Sequence, residues 1–238
     1  MKKSCILSLL LLCTSLSFAQ KDVTKFLGIP VDGEEIEMRL KLIEKGYTYD
    51  SINNCLNGVF NGEDVNIYIV TNKTRDQGNK VWRIMVIYSN PVDEISVKDN
   101  FNILCQQFNN NPNYFQISQT KYTIPEKEDI SKQITLYKKR YEAFYYQIPD
   151  SSDLASKKEN EQKIMNYLLA KYTQETLDNP TKKQQKDIID RVFAITIDLI
   201  SHKSVWFTIV KYDYDYNKYA IAIYYDNEYN NAHNGEDL

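Results

Sequence analysis

Histidine is nearly missing: only His202 and His233 occur in 238 residues. It is the usual proton shuttle near neutral pH and the commonest metal ligand. His202 sits in a Ser201–Ser204 turn and His233 in a polar tail, and neither has a partner at metal spacing. A zinc site would have to recruit Cys55 or Cys105 from far along the chain, so no metal is expected. G-x-S-x-G, H-E-x-x-H, phosphate-loop and dinucleotide fingerprints are lacking too, so no cofactor and no catalytic residue are assigned. Basic clusters are also lacking. With 29 Lys+Arg against 32 Asp+Glu there is no electrostatic footprint for nucleic acid. After residue 19 there is no long apolar run, which excludes a transmembrane segment from the mature chain.

The first 19 residues are a different matter. Lys2 and Lys3 precede an apolar run, Ile6 to Leu12, and the stretch closes on Ser17-Phe18-Ala19. Small residues at −3 and −1 suit signal peptidase, so cleavage after Ala19 and export to the periplasm or the outside are expected. Leu12 before Cys13 argues against lipidation, which wants a small residue there. Cys5 and Cys13 leave with the leader, and Cys55 and Cys105 remain. An oxidising compartment invites a disulfide between them. Closing a loop of about 50 residues would contribute roughly 4 kcal/mol. Two buried free thiols acting as small hydrophobes are the equal alternative.

Glycines cluster early: Gly28, Gly33, Gly46, Gly58, Gly62 and Gly78, then none until Gly235. Asp32 with Glu35 reads as a helix start, Ile36, Leu40 and Ile43 as its apolar stripe, and Gly46 as its stop. Asn61-Gly62 joins strands Leu56–Phe60 and Val65–Thr71, the strongest short hairpin signal available. A third strand, Val81–Tyr88, follows. Asn90-Pro91 opens a second helix with Val97, Phe101, Leu104, Cys105 and Phe108 on one face. Ile134–Tyr137 and Tyr141–Gln147 read as a hairpin turned by Lys138-Lys139-Arg140. A third helix carries Ile164, Leu168 and Tyr172, and a short fourth covers Lys182–Arg191. The β-branched run Val192–Ile200 favours a strand. Val205–Asp213 and Lys218–Asp226 form a last hairpin, whose Ala220 and Ala222 make one face flat enough for a helix to sit close.

The expected class is α+β: an antiparallel sheet of hairpins with helices packed on one face, helix-then-hairpin repeated about three times. Residues 20–148 read as an N-terminal half, 149–160 as a polar seam and 161–238 as a C-terminal half, with a shared sheet left open. The other sheet face is expected to be wet and available.

Two blocks carry a resemblance. Phe26-Leu27-Gly28-Ile29-Pro30-Val31-Asp32-Gly33, a helix ending Lys45-Gly46, and Leu56-x-Gly58-x-Phe60-x-Gly62 form the first. Tyr224-Tyr225-Asp226-Asn227 with Asn234-Gly235-Glu236-Asp237-Leu238 form the second. The chain thereby resembles uncharacterised secreted proteins of Bacteroides-type gut bacteria, which share a signal peptide and an F-x-G-I-P-x-D-G opening. The resemblance implies envelope or extracellular residence and carries over no catalytic or binding residue. The order of elements is more loosely similar to β-lactamase-inhibitor-protein-like and PepSY-like folds, a fold-level likeness that says little of function.

Tyrosine is in surplus, 19 against 9 Phe and 2 Trp. The C-terminal hairpin alone carries Tyr212, Tyr214, Tyr216, Tyr219, Tyr224 and Tyr225, with Tyr229 beyond. Tyr219 and Tyr225 share a face with Ile221 and Ile223 and read as packing. Tyr214 and Tyr216, with Tyr212, are the candidate ligand contacts, since rings at a turn are hard to bury. Asp213-x-Asp215-x-Asn217 imitates a calcium loop, but Lys218 and Tyr224 stand where Gly and Glu are needed, and a turn explains the Asp and Asn as well. Ser201-His202-Lys203-Ser204 is read as a polar turn and not as a nucleophile site. The first functional expectation is a non-enzymatic envelope binding module for a protein or carbohydrate ligand. A carboxylate-dependent glycan hydrolase and a structural subunit of a surface assembly are the alternatives.

Overall fold

The structure, a computed structural model, describes residues 22–74, 78–119, 121–148, 154–212 and 217–231. The leader, the 149–153 stretch, Asp213–Tyr216 and the tail from residue 232, with His233, lie outside the described residues.

Eight antiparallel strands form one sheet in the order β3-β4-β5-β6-β10-β9-β8-β7. They are β3 (Thr48–Asp50), β4 (Cys55–Phe60), β5 (Glu63–Thr74), β6 (Gly78–Tyr88), β7 (Tyr114–Phe115), β8 (Glu142–Gln147), β9 (Ser204–Lys211) and β10 (Tyr219–Asp226). A two-stranded ribbon, β1 (Lys25–Phe26) and β2 (Ile29–Pro30), stands apart from it. Six helices occur among the described residues: α1 (Glu35–Glu44), α2 (Glu94–Asn110), α3 (Ile130–Tyr137), α4 (Leu154–Leu169), α5 (Gln174–Asp178) and α6 (Lys182–Ser201). The fold is α+β with an antiparallel sheet. None of the described helices is long and apolar enough to cross a membrane.

The alternation of side chains along the strands puts one set under the helices. Val65, Ile67, Ile84, Val86, Ile221, Ile223, Val205, Phe207 and Tyr145 are all buried in one core with α2. Asp93 caps α2 by accepting from the Ser96 N–H at 2.9 Å. From there Val97, Phe101, Leu104, Cys105 and Phe108 lie buried on one helix face. Phe207 is the hub: its ring centroid is 5.0 Å from Phe101, 5.5 Å from Phe108 and 6.0 Å from Tyr145. The Asn61-Gly62 turn has φ of 54° and 83°, as a two-residue type I′ hairpin requires.

Several local expectations give way to packing. Helix α1 is capped by Glu34 without a side-chain bond, while Asp32 accepts from the Gly33 N–H. It buries Met38 and Leu42, and Ile36, Leu40 and Ile43 face solvent. Two apolar stripes compete on this helix, and the ridge that fits the sheet wins over the one with more members. Ile134–Tyr137 is not a strand. Asp129 accepts from the Lys132 N–H at 2.7 Å and Glu94 from the Ile130 N–H at 2.8 Å, which starts α3; Lys138, left-handed at φ 54°, ends it. β8 pairs instead with β9.

Val192–Ile200 is likewise helical, the second half of α6. Thr181 and Gln184 form a reciprocal capping box that launches the helix. Ile188, Val192, Ile195 and Leu199 then recur at helical spacing, half-buried where α6 packs against α4. This outweighs the β bias of branched side chains. The seam expected at 149–160 is α4 from residue 154 onward, and the two halves share the one sheet because β10 pairs with β6. Helix α2 sits over the Ile221–Ile223 face of β10, so the flat Ala220–Ala222 row lies on the opposite side.

Cys55 and Cys105 are both buried and free, so the disulfide weighed from sequence does not form. Leu56 faces the core, so Cys55 points to the other sheet face, where its Sγ meets Asn57 Oδ1 at 3.4 Å. Cys105 is on the inner side of α2, within the core. The sheet separates them. Burial pushes the Cys105 thiol up to about 11, and burial together with Asp50 raises that of Cys55.

Leu42→Ala should cost about 2–5 kcal/mol in urea denaturation, and Leu40→Ala should stay within about 0.5 kcal/mol. Equal losses would return Leu40 to the core. In a chain beginning at Gln20, both thiols should resist Ellman's reagent in the native state at about pH 8 and react together on unfolding, because only the thiolate attacks. A rapidly reacting native thiol would show the burial to be wrong.

Candidate functional site

Of the three tyrosines singled out from sequence, only Tyr212 is described; Tyr214 and Tyr216 lie outside the described residues, as do Asp213 and Asp215 of the calcium-like turn. Tyr212 is 44% exposed and its N–H donates to the Lys218 carbonyl at 2.8 Å, closing the last hairpin. Tyr219 and Tyr225 are core residues, and Tyr229 stacks on His202 with centroids 4.3 Å apart. Among the described residues no group of three His, Cys, Asp or Glu could hold a metal ion.

The sheet face away from α2 was expected to be wet. It carries a row of half-buried rings across adjacent strands: Phe144 on β8, Trp206 on β9 and Tyr224 on β10. Phe144 and Trp206 stack at 5.4 Å and 17°, Trp206 and Tyr224 at 4.0 Å and 15°. Arg83 of β6 continues the row, its guanidinium 4.9 Å from the Tyr224 centroid and 4.2 Å from that of Trp82. Rings stacked this way turn their faces to each other and only their edges outward. Asp226 fastens the row: it accepts from Arg83 Nε at 2.6 Å, from Arg83 Nη2 at 2.7 Å and from Trp206 Nε1 at 2.9 Å. The row is cross-strand packing, and its ring faces are already used.

The concave feature is on the other side. A cleft of about 660 Å³ opens beside the C-terminal half of α2. Its floor is Phe60, Ile223 and Tyr225 of the sheet. Leu104, Gln107, Phe108 and Asn111 form the helical wall, and Lys25, Leu27 and Gly28 of the ribbon face them. Asn61 closes one end, with Asn113, Tyr114, Gln147 and Ile148 at the other.

Local chemistry explains each wall. Phe26 is fully buried, with ring centroids 4.8 Å from Tyr225 and 5.3 Å from Phe60, and it pins the ribbon to the sheet. The pinned ribbon must reverse at Leu27-Gly28, with φ of 52° and 79°. A type I′ turn accepts Gly28 freely, but a leucine there is strained by about 1–3 kcal/mol. Leu27 is nonetheless 37% exposed at the rim of the cleft. The Gln147 side chain serves the ribbon edge like a strand: it accepts from the Lys25 N–H at 2.7 Å and donates to the Lys25 carbonyl at 2.7 Å. Asn61 Nδ2 donates to Gln107 Oε1 at 2.8 Å, tying the hairpin turn to α2.

Five of the lining residues are amides, Asn61, Gln107, Asn111, Asn113 and Gln147, and four are aromatic, Phe60, Phe108, Tyr114 and Tyr225. Among the described lining residues none is an acid, a histidine or a cysteine, and Lys25 is the one that carries a charge. Burial raises the Tyr114 hydroxyl above its ordinary range and raises that of Tyr225 well above it, the neighbouring Tyr114 adding to the shift. Both remain protonated through neutral pH. The lining therefore offers hydrogen bonds and apolar surface, and no carboxylate pair of the kind glycoside hydrolysis uses.

Sequence reasoning missed this cleft, although a signal was present. The Phe26–Gly33 and Tyr224–Asn227 segments meet here: Asn227 Nδ2 donates to the Val31 carbonyl at 2.7 Å, Thr24 Oγ1 beside the first segment donates to the Asp226 carbonyl, and Phe26 packs on Tyr225. Leu27, Gly28 and Tyr225 from those segments line the cavity. No known protein family, curated protein or solved structure matches this chain.

Proposed function

We propose that this chain is an exported, non-enzymatic binding module of the cell envelope, and that it takes its ligand in the cleft beside α2. The leader ending at Ala19 supports export. The observation that carries the binding role is the lining itself: amides and rings converge in a cavity of drug-ligand size, and none of its described residues is an acid, a histidine or a cysteine. The strained turn at Leu27 belongs to the same reading, because strain of this kind gathers where a ligand is held. The C-terminal hairpin contributes Tyr225 from its strand.

A second reading, a subunit of a surface assembly, is favoured by one observation. On α4 and α6, Met165, Leu169, Ile189 and Phe193 are exposed, the last two at 59% each. Helical spacing groups them as i, i+4 pairs on their helices. Large apolar groups facing water on a helix pair suit a partner surface.

Two measurements decide between these readings. With the labelled chain and a fragment library of cations, anions and neutral molecules, amide shifts should concentrate at Gly28, Asn61, Gln107, Asn111 and Asn113. Gln107→Ala should weaken a cleft-bound fragment about tenfold, the worth of one hydrogen bond. Hits that scatter elsewhere would remove the binding reading. For the second reading, sedimentation at about 100 μM should show self-association that Phe193→Lys abolishes. A monomer at that concentration rejects it as a self-assembling subunit.

A further inference from the structure

We infer that the ligand of the cleft is a neutral oligosaccharide. This rests on the cleft being the binding site, and it follows from what the lining attracts and repels. A cationic ligand finds no acid to pair with, since none of the described lining residues is Asp or Glu. An anionic ligand meets the wrong end of α2. This helix runs from Glu94 to Asn110, and Gln107, Phe108 and Asn111 bring its C-terminal turn to the wall. The unpaired carbonyls of a helix C-terminus carry about half a negative charge, which offsets much of what one lysine offers an anion. Charge selects against both signs.

A purely apolar ligand is excluded by cost. Gln147 is bonded to the ribbon and Asn61 Nδ2 to Gln107 Oε1, but an apolar ligand would still strip water from the amide groups those bonds leave open, at about 1–3 kcal/mol for each group left unsatisfied. The ligand must hydrogen-bond to those remaining amide groups, such as the Gln107 and Asn111 NH2 groups. It must also offer apolar surface to Phe60, Phe108 and Tyr114. Sugar rings combine these: hydroxyls around the rim and C–H groups on the face. The volume, about 660 Å³, takes a ligand of roughly two to three rings.

An extended peptide shares the neutrality but lacks its usual foothold. Peptides joining a sheet need an open strand edge with free N–H and C=O groups. Two of the three floor residues, Ile223 and Tyr225, are on β10, which is hydrogen-bonded on both sides to β6 and β9. On the ribbon, the Lys25 N–H and carbonyl are taken by Gln147. Side chains, and not a backbone edge, supply the recognition.

The test is calorimetric titration of the full mature chain with three probe sets. These are neutral malto-, cello- and chito-oligosaccharides; anionic heparin and oligogalacturonate fragments; and unmodified hexapeptides. At least one neutral saccharide should bind, with a Kd that changes less than twofold between about 50 and 500 mM salt, since no ion pair is screened. Gln107→Ala and Asn111→Ala should each weaken it about tenfold or more; the melting temperature, measured alongside, should fall by no more than about 4 °C for the exposed Gln107, the cost of its bond to Asn61. Salt-sensitive binding confined to the anionic set, binding confined to the peptides, or no neutral binder would each overturn the inference. If fragments still map to the cleft in any of those cases, the cleft remains the binding site and only the ligand class falls. If they map elsewhere, the site reading fails first.

Discussion

The pairing of β6 with β10 is the constraint on which the rest depends. It joins Arg83–Ile87 to Ala222–Asp226, segments far apart in the chain, and makes one eight-stranded sheet out of two runs of elements. Contacts of such separation are costly in loop-closure entropy, so the pairing needs strong local reinforcement. Asp226 supplies it. Its carboxylate is nearly inaccessible, and two Arg83 nitrogens and the Trp206 indole satisfy it. Geometry of this kind is bidentate and charge-assisted. Removing one partner of a buried pair leaves an uncompensated charge, at a cost of about 3–5 kcal/mol.

The cleft is a consequence of that pairing. Ile223 and Tyr225 form its floor because β10 lies in the middle of the sheet. The amino-terminal ribbon can then fold across Tyr225, anchored by Phe26 and by Asn227 to Val31. Farther along the same edge, Lys203 is buried and paired with Asp22 at 2.9 Å, so the start of the described chain is strapped to the turn between α6 and β9. The strain at Leu27 persists because these anchors fix the chain on both sides of the turn.

Aromatic rings gather on both faces of the sheet. On one, Phe144, Trp206 and Tyr224 spend their ring faces on one another. On the other, Phe108 stacks on Tyr145 and Phe207 and meets Tyr114 edge-on at 4.7 Å, and Phe108 and Tyr114 line the cavity.

What the sequence determined by itself is the content of elements whose signals are local and agree with the core. The α2 face from Val97 to Phe108, the Asn61-Gly62 hairpin and the inward Tyr219–Ile221–Ile223–Tyr225 row were legible, because periodicity and turn chemistry act over a few residues. Only the tertiary structure decided which of two stripes α1 buries, that Val192–Ile200 continues a helix and that Cys55 and Cys105 lie on opposite sides of the sheet. Each of these depends on a surface presented by a distant segment, against which local propensity is worth only tenths of a kcal/mol per residue. The cleft was hidden for the same reason. Leu27, Asn61, Gln107, Asn113, Gln147 and Tyr225 are scattered along the chain, and nothing but the β6–β10 pairing brings them around one cavity.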